Sequence, residues 1–206
     1  PLYYVGNNGA VAVTDASATI TGLVATVNMI NNTILSTQNS GPGHWQSRWE
    51  SLHGHRRVEQ DDWLWPRRGD WMARLDEVLL DSSHGVRLVA HSLGCQLVAA
   101  WAAHSRHTSR VAAALLVAPP DTERDDMPPN LFNWRPIVRE RLPFASLVVA
   151  STGDPYCALP RAERMAADWG AAIVEIGPRG HINGESGLGD WPEGLALLRG
   201  LAGDAR

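Results

Sequence analysis

The sequence predicts an α/β protein, a mostly parallel sheet flanked by helices on both faces. Four apolar runs of strand length stand at 86–90, 111–118, 145–150 and 172–176. The run 111–118 is near-continuous Val, Leu and Ala, as expected of a central parallel strand buried on both faces. Amphipathic stretches of helical period separate the four runs, and strand–helix alternation repeated about five times is the pattern of parallel βαβ units.

Each element has a local reason. Residues 34–37 form a short strand candidate, followed by a loop over 38–43. Trp45, Trp49 and Leu52 recur at helical spacing and predict one apolar face. Residues 57–60 are a weaker strand. Asp70 is expected to cap a helix whose buried stripe is Trp71, Leu75, Val78 and Leu79. Strand 86–90 runs straight into a helix at Ser92, helical over 94–103. Residues 119–143 are Pro-rich and irregular, and Phe132 and Trp134 within them are expected to shape a pocket. After strand 145–150, a helix from about Pro160 turns Ala162, Met165, Ala166 and Trp169 inward and ends at Gly170. The last helix carries Asp190 and Glu193 at capping-box spacing, with Leu195 and Leu198 on the core side.

Composition narrows the function. The 206 residues carry a net charge of −4, with 44% hydrophobic side chains and nine Trp, ample for one large core. Global disorder is excluded, and a mildly acidic chain has no electrostatic case for nucleic acid or an anionic membrane. All 18 basic residues are Arg, so lysine Schiff-base chemistry is impossible. Two Cys, Cys95 and Cys157, are too few for a disulfide scaffold and suit a reducing, cytoplasmic setting. The His spacing offers no zinc motif, and neither a metal nor an organic cofactor is expected.

The composition breaks near residue 40. Asp15 is the only Asp, Glu or Arg before Arg48, and six of the nine Asn lie in that stretch. Residues 1–32 read as short β or turn segments around Gly6-Asn7-Asn8-Gly9. They are expected to be an atypical extension of a domain spanning 33–206, opening on Pro1 rather than a native start. The apolar run 22–30, interrupted by Thr26 and Asn28, is too short to span a membrane, and no basic region precedes it as in a secretory signal.

The chemistry centres on Ala90-His91-Ser92-Leu93-Gly94-Cys95. An apolar strand enters a helix with Ser at the bend and small residues two positions either side, the nucleophile-elbow pattern with Ala90 in place of the first Gly. Small flanks let strand and helix pack closely while the hydroxyl is lifted to the helix N-terminus. A Ser there also serves simply as an N-cap. A serine nucleophile needs a base, and the base an orienting carboxylate, following in the order Asp then His. Asp121 and Asp154 compete, and Asp154 is favoured because its strand comes later and Gly153 and Pro155 tighten its turn. Only His181 follows Asp154, in a loop after the last strand. His44, His53, His55, His84, His104 and His107 are expected at the surface, and His91 is expected to point away from the nucleophile. Cys95 and Cys157 are expected to be buried thiols, and Cys95 is not at the bend.

Together with Ser40-Gly41-Pro42-Gly43-His44-Trp45-Gln46, Val58-Glu59-Gln60-Asp61-Asp62-Trp63, Val117-Ala118-Pro119-Pro120-Asp121, Asp154-Pro155-Tyr156-Cys157 and Gly180-His181-Ile182-Asn183, this segment resembles the small α/β serine hydrolases grouped with YdeN and retinoblastoma-binding protein nine. The resemblance covers about 33–202. It implies the α/β-hydrolase fold, a Ser92–Asp154–His181 triad and hydrolysis of small carboxylic esters or related acyl compounds. It also implies an oxyanion hole from the backbone N–H groups of Leu93 and of the loop near Thr37. Leu35-Ser36 departs from the Pro-Gly of similar proteins beside that loop. The expected partner is a small acyl substrate. A rival from another class is a weakly active protein-binding module on the same fold; an L-x-C-x-E segment would favour it, and none occurs. An acyltransferase or perhydrolase would use the same triad.

Overall fold

The computed structural model describes residues 43–55, 57–82 and 85–201, together with the strands Tyr3–Val5 and Ala10–Thr14. In chain order the elements are β1 (Tyr3–Val5), β2 (Ala10–Thr14), α1 (Trp45–His53), α2 (Arg68–Leu80), β3 (Val86–His91), α3 (Leu93–His104), β4 (Val111–Val117), β5 (Ala145–Ala150), α4 (Leu159–Trp169), β6 (Ala172–Glu175) and α5 (Pro192–Leu201). The sheet runs β1-β2-β3-β4-β5-β6. Strands β3 to β6 are parallel, with Val89 opposite Leu115 and Leu115 opposite Leu147. β1 pairs antiparallel with β2, and β2 antiparallel with β3 through Ala12 and Val89. β1 and β2, the two strands described before residue 33, therefore lie antiparallel at one end of the sheet, while its parallel part lies wholly within 33–206. The expected strand at 34–37 lies outside the described residues.

Alternation along the strands divides the core in two. Leu88, Ala90, Leu116 and Val148 face one side, where they meet α2, α3 and α4 through Leu75, Leu97 and Met165. Val89, Leu115, Val117 and Val149 face the other, against Trp45 and Trp49 of α1 and Leu195 and Leu198 of α5. Covering both faces is what makes these strands apolar at nearly every position. On the second side Trp45 packs edge-on against Trp49 and Trp191, with centroids 4.8 and 4.4 Å apart.

Several local expectations shift. Leu52 lies in the last turn of α1 and is exposed rather than part of its apolar face. Residues 57–60 make only a single bridge at Arg57, although Val58 and Gln60 are buried as their alternation requires. α2 begins at Arg68, so Asp70 lies in its first turn, near the positive helix end, instead of capping it. α5 begins at Pro192, and the Asp190 carboxylate pairs with Arg48 rather than closing a capping box. Trp134 is buried against Trp71, donating to the Pro66 carbonyl at 2.7 Å, and Phe132 is exposed. Neither of those two aromatics lines the cleft described below.

Candidate active site

The site forms where the parallel strands end, the position at which open α/β sheets place their chemistry. Val86 to His91 pair with β4 up to Val117, and the chain then reverses at Ser92, held at φ 55°, ψ −128°. A non-glycine residue there costs on the order of 1–3 kcal/mol and needs support from its surroundings. The Ser92 N–H donates to the Val117 carbonyl at 2.9 Å, and the Cys95 N–H donates to the Ser92 carbonyl at 2.9 Å. The Ser92 hydroxyl makes no capping bond to α3. It lies instead 2.8 Å from Nε2 of His181. A role as mere N-cap is thereby removed.

The loop after β6 brings His181 to Ser92. Nδ1 of His181 is 2.9 Å from both carboxylate oxygens of Asp154. Asp154 follows β5, and its Oδ1 accepts the Tyr156 N–H at 2.9 Å. Both side chains are almost wholly removed from solvent. With Asp154 ionised, Nδ1 carries the proton, and bare Nε2 faces the serine O–H. Asp121 takes no part in this arrangement. It accepts from Arg161 at 3.1 Å and from the Glu123 N–H at 3.1 Å.

Leu93 is the first residue of α3, so its N–H has no acceptor within the helix. Thr37 lies outside the described residues, as do Leu35 and Ser36. Cys95 is wholly buried, its thiol 3.3 Å from the Val117 carbonyl and 3.5 Å from that of Ala90. Burial holds its pKa well above 9, the state of a packed thiol and not of a nucleophile. Burial, and then the Asp154 charge, push Cys157 up to about 12.

Three histidines depart from the expected surface or idle role. His44 is buried and caps α1, its Nδ1 accepting the Gln46 N–H at 3.2 Å. Burial, then His181, then Arg57 lower its protonation well below the usual range. His55 is buried against Trp49, and burial followed by His53 takes its pKa to about 2. His91 is not idle: its Nε2 meets the His181 carbonyl at 2.6 Å. His104 is exposed, His53 and His107 are half-buried, and His84 lies outside the described residues. Sequence reading also placed Trp45 only in the core, whereas its indole N–H donates to the Ile182 carbonyl at 2.7 Å. Tyr156 packs edge-on to the His181 ring at 4.6 Å. The signal for these contacts was adjacency to the motif residues, but only the folded chain brings their partners together.

A cleft of about 780 Å³ opens beside His181, lined among others by Arg124, Met127, Tyr156, Arg179 and Glu185. The Pro-rich excursion thus reaches the site through Arg124, Asp126, Met127 and Pro128, not through its aromatics. Among the described residues no helix is long and apolar enough to cross a membrane, and no three His, Cys, Asp or Glu side chains converge as a metal site would require.

Known structures carry the same architecture. A YdeN-like hydrolase from Pectobacterium atrosepticum is 29% identical, superposing with a TM-score of 0.70 over 80% of this chain and 85% of its own. The ydeN gene product of Bacillus subtilis is 22% identical, with a TM-score of 0.56 over 70% of this chain and 80% of its own. An esterase from a Rhodococcus species shares the fold at 12% identity, with a TM-score of 0.52 over 68% of this chain and 73% of its own. No curated protein matches the chain in sequence. The serine hydrolase family model matches residues 34–200, most of the chain and all of the parallel sheet. With an α/β-hydrolase fold and YdeN-like hydrolases among its structural relatives, this chain belongs to the serine hydrolase family.

Proposed function

We propose that this serine hydrolase cleaves small carboxylic esters or related acyl compounds through a Ser92–Asp154–His181 triad and an acyl-enzyme. The observation that carries the reading is the unbroken chain of hydrogen bonds from the Ser92 hydroxyl through His181 to Asp154. In the proposed cycle the Ser92 oxygen attacks the acyl carbonyl as its proton passes to Nε2 of His181. Asp154 keeps the imidazole in the required tautomer and stabilises the imidazolium. The carbonyl oxygen, now an anion, is held by the Leu93 N–H at the positive end of α3, with a second donor proposed near Thr37. Collapse expels the alcohol, which takes the proton from Nε2, and leaves the acyl group on Ser92. Water then repeats the steps with His181 as base, and the acid departs.

The cycle calls for no metal or organic cofactor. The cleft beside His181 is within the usual size range for a small-molecule site, which is compatible with the small acyl substrate proposed. A cytoplasmic, reducing setting suits two free, buried thiols. The decisive experiment is labelling with a fluorophosphonate probe. The wild-type chain is expected to be labelled and Ser92→Ala to be blank. Equal labelling of the two would end the reading, and an unlabelled but folded wild type would favour a non-catalytic role for the fold.

A further inference from the structure

We propose that His91 is a positioning residue for the base: its buried Nε2–H grips the backbone of His181 and sets where that imidazole meets Ser92. The inference rests on the Ser92–Asp154–His181 reading and adds a residue to it.

The placement follows from the strand. His91 is the last residue of β3, and side chains alternate between sheet faces, so His91 lies on the Val89 side while Ala90 faces α3. That side is where α1 and the His181 loop pack, because Trp45 and Ile182 belong to the same buried cluster as Val89. The His91 ring stands 4.9 Å from the His181 ring, 6.1 Å from Trp45 and 5.4 Å from His44. Its rotation is therefore limited by three rings.

A carbonyl oxygen only accepts, so Nε2 of His91 must carry the proton in the 2.6 Å contact with His181. Burial, then the neighbouring His181 and His44, hold His91 neutral, which leaves Nδ1 bare. Nδ1 is buried and has no hydrogen-bond partner among the described residues. An apolar side chain would leave no such orphan, so the polar ring is accounted for by its other nitrogen. That nitrogen serves the one loop that carries the base.

The gripped segment needs holding. Ile182 adopts φ 51°, unfavourable for a β-branched residue. Its carbonyl is fixed by the Trp45 indole N–H, and the preceding carbonyl by His91. Two buried donors from different elements thus secure consecutive carbonyls around a strained residue. Releasing one lets the peptide relax and swings the His181 ring off Ser92.

The test compares His91→Phe, His91→Met and His91→Gln, each checked for folding by circular dichroism and thermal melting. Gln offers a side-chain N–H near the place of Nε2, Met has similar length without a donor, and Phe keeps the ring shape. Loss of the donor is expected to lower kcat about a hundredfold with KM nearly unchanged, the scale of a misplacement of roughly 1 Å. Gln is expected to recover most of that loss. A readout independent of turnover is the low-field proton NMR signal of the His181 Nδ1–H held by Asp154, expected to broaden or shift in Met and Phe and to return in Gln. Should Phe fail to fold, the Gln and Met pair decides. Unchanged kcat and signal in Met, a rise in KM alone, or a Gln variant that is misfolded or as impaired as Met would each overturn the proposal. If wild type shows no hydrolysis but the proton signal responds as expected, the triad's activity fails while the positioning role stands.

Discussion

Ser92 and His181 share one hydrogen bond but are held in opposite ways. Ser92 is placed by a continuous stretch of chain: a buried strand, a reversal at φ 55° and a helix, with its own N–H tied to the adjacent strand. His181 sits in a loop and depends on groups far away in sequence. Asp154 lies 27 residues before it, His91 90 residues before it, and Trp45 is 137 residues from Ile182. The proposed nucleophile can thus be written in half a dozen consecutive residues, whereas the proposed base needs the assembled sheet and both its flanking layers.

Mutations break this contrast in graded steps. Ser92→Ala is expected to abolish hydrolysis and probe labelling while leaving the melting temperature within a few degrees, since a hydroxyl alone is removed. Asp154→Asn is expected to lower kcat by roughly 10⁴, by analogy with the loss of the correct tautomer in a protease triad. Asp121→Asn, which weakens an ion pair to Arg161 rather than a bond to the imidazole, is expected to change kcat less than about fivefold. Steady-state kinetics on one ester settle this, and the reverse order would transfer the orienting role to Asp121.

Trp45→Phe sharpens the comparison at the base. It keeps an aromatic in the Trp49–Trp191 cluster but leaves the Ile182 carbonyl without its donor. An unsatisfied buried acceptor costs about 1–3 kcal/mol, so a lower denaturant midpoint is expected together with a roughly tenfold fall in kcat. The probe reaction should slow in step with kcat, because the same serine must be activated.

The smallest effect on activity is expected from His55→Phe, because His55 packs against Trp49 and makes none of the hydrogen bonds among Ser92, His181 and Asp154. The folded state holds His55 near 2, against about 6.5 in an unfolded chain. The unfolded chain therefore binds the extra proton between those values, and stability falls as pH drops below about 6.5. That slope approaches about 1.4 kcal/mol per pH unit for each such histidine. His44 and His91 are lowered in the same direction and add to it. Urea unfolding between pH 7 and 4.5 is expected to show proton uptake on unfolding reduced by about one in His55→Phe, with kcat unchanged at pH 7.

The pattern of successes and misses has physical causes. Strands β3, β4 and β5 were legible because both faces are buried over most of their length, so nearly every position reports burial, whereas β6 is mostly exposed. Gly170, in the left-handed conformation at φ 65°, ends α4 where glycine is favoured over a side-chain-bearing residue. Leu52 misled because helical period says which residues share a face, not how far along the helix the neighbouring layer reaches. Asp190 misled because a carboxylate at capping spacing has other uses, here Arg48 of α1. His44 and His55 misled because composition treats histidine as a surface residue, while an aromatic cluster accommodates the neutral ring.

What the sequence by itself determined is the parallel sheet, the family resemblance and the order of the residues proposed as a triad, Ser92, Asp154, His181. The sheet and the bend rest on short-range chemistry: apolar runs, a sharp turn between small residues, turn residues at strand ends. The family rests on the resemblance of several motifs taken together. What only the tertiary structure decided is which partners meet across the sheet. Asp154 lies against Nδ1 while Asp121 is engaged by Arg161, and His91 and Trp45 close on the His181 loop. Those contacts depend on the packing of β3, α1 and the loop after β6, whose relative placement is set by burial of the whole core rather than by any local run of residues.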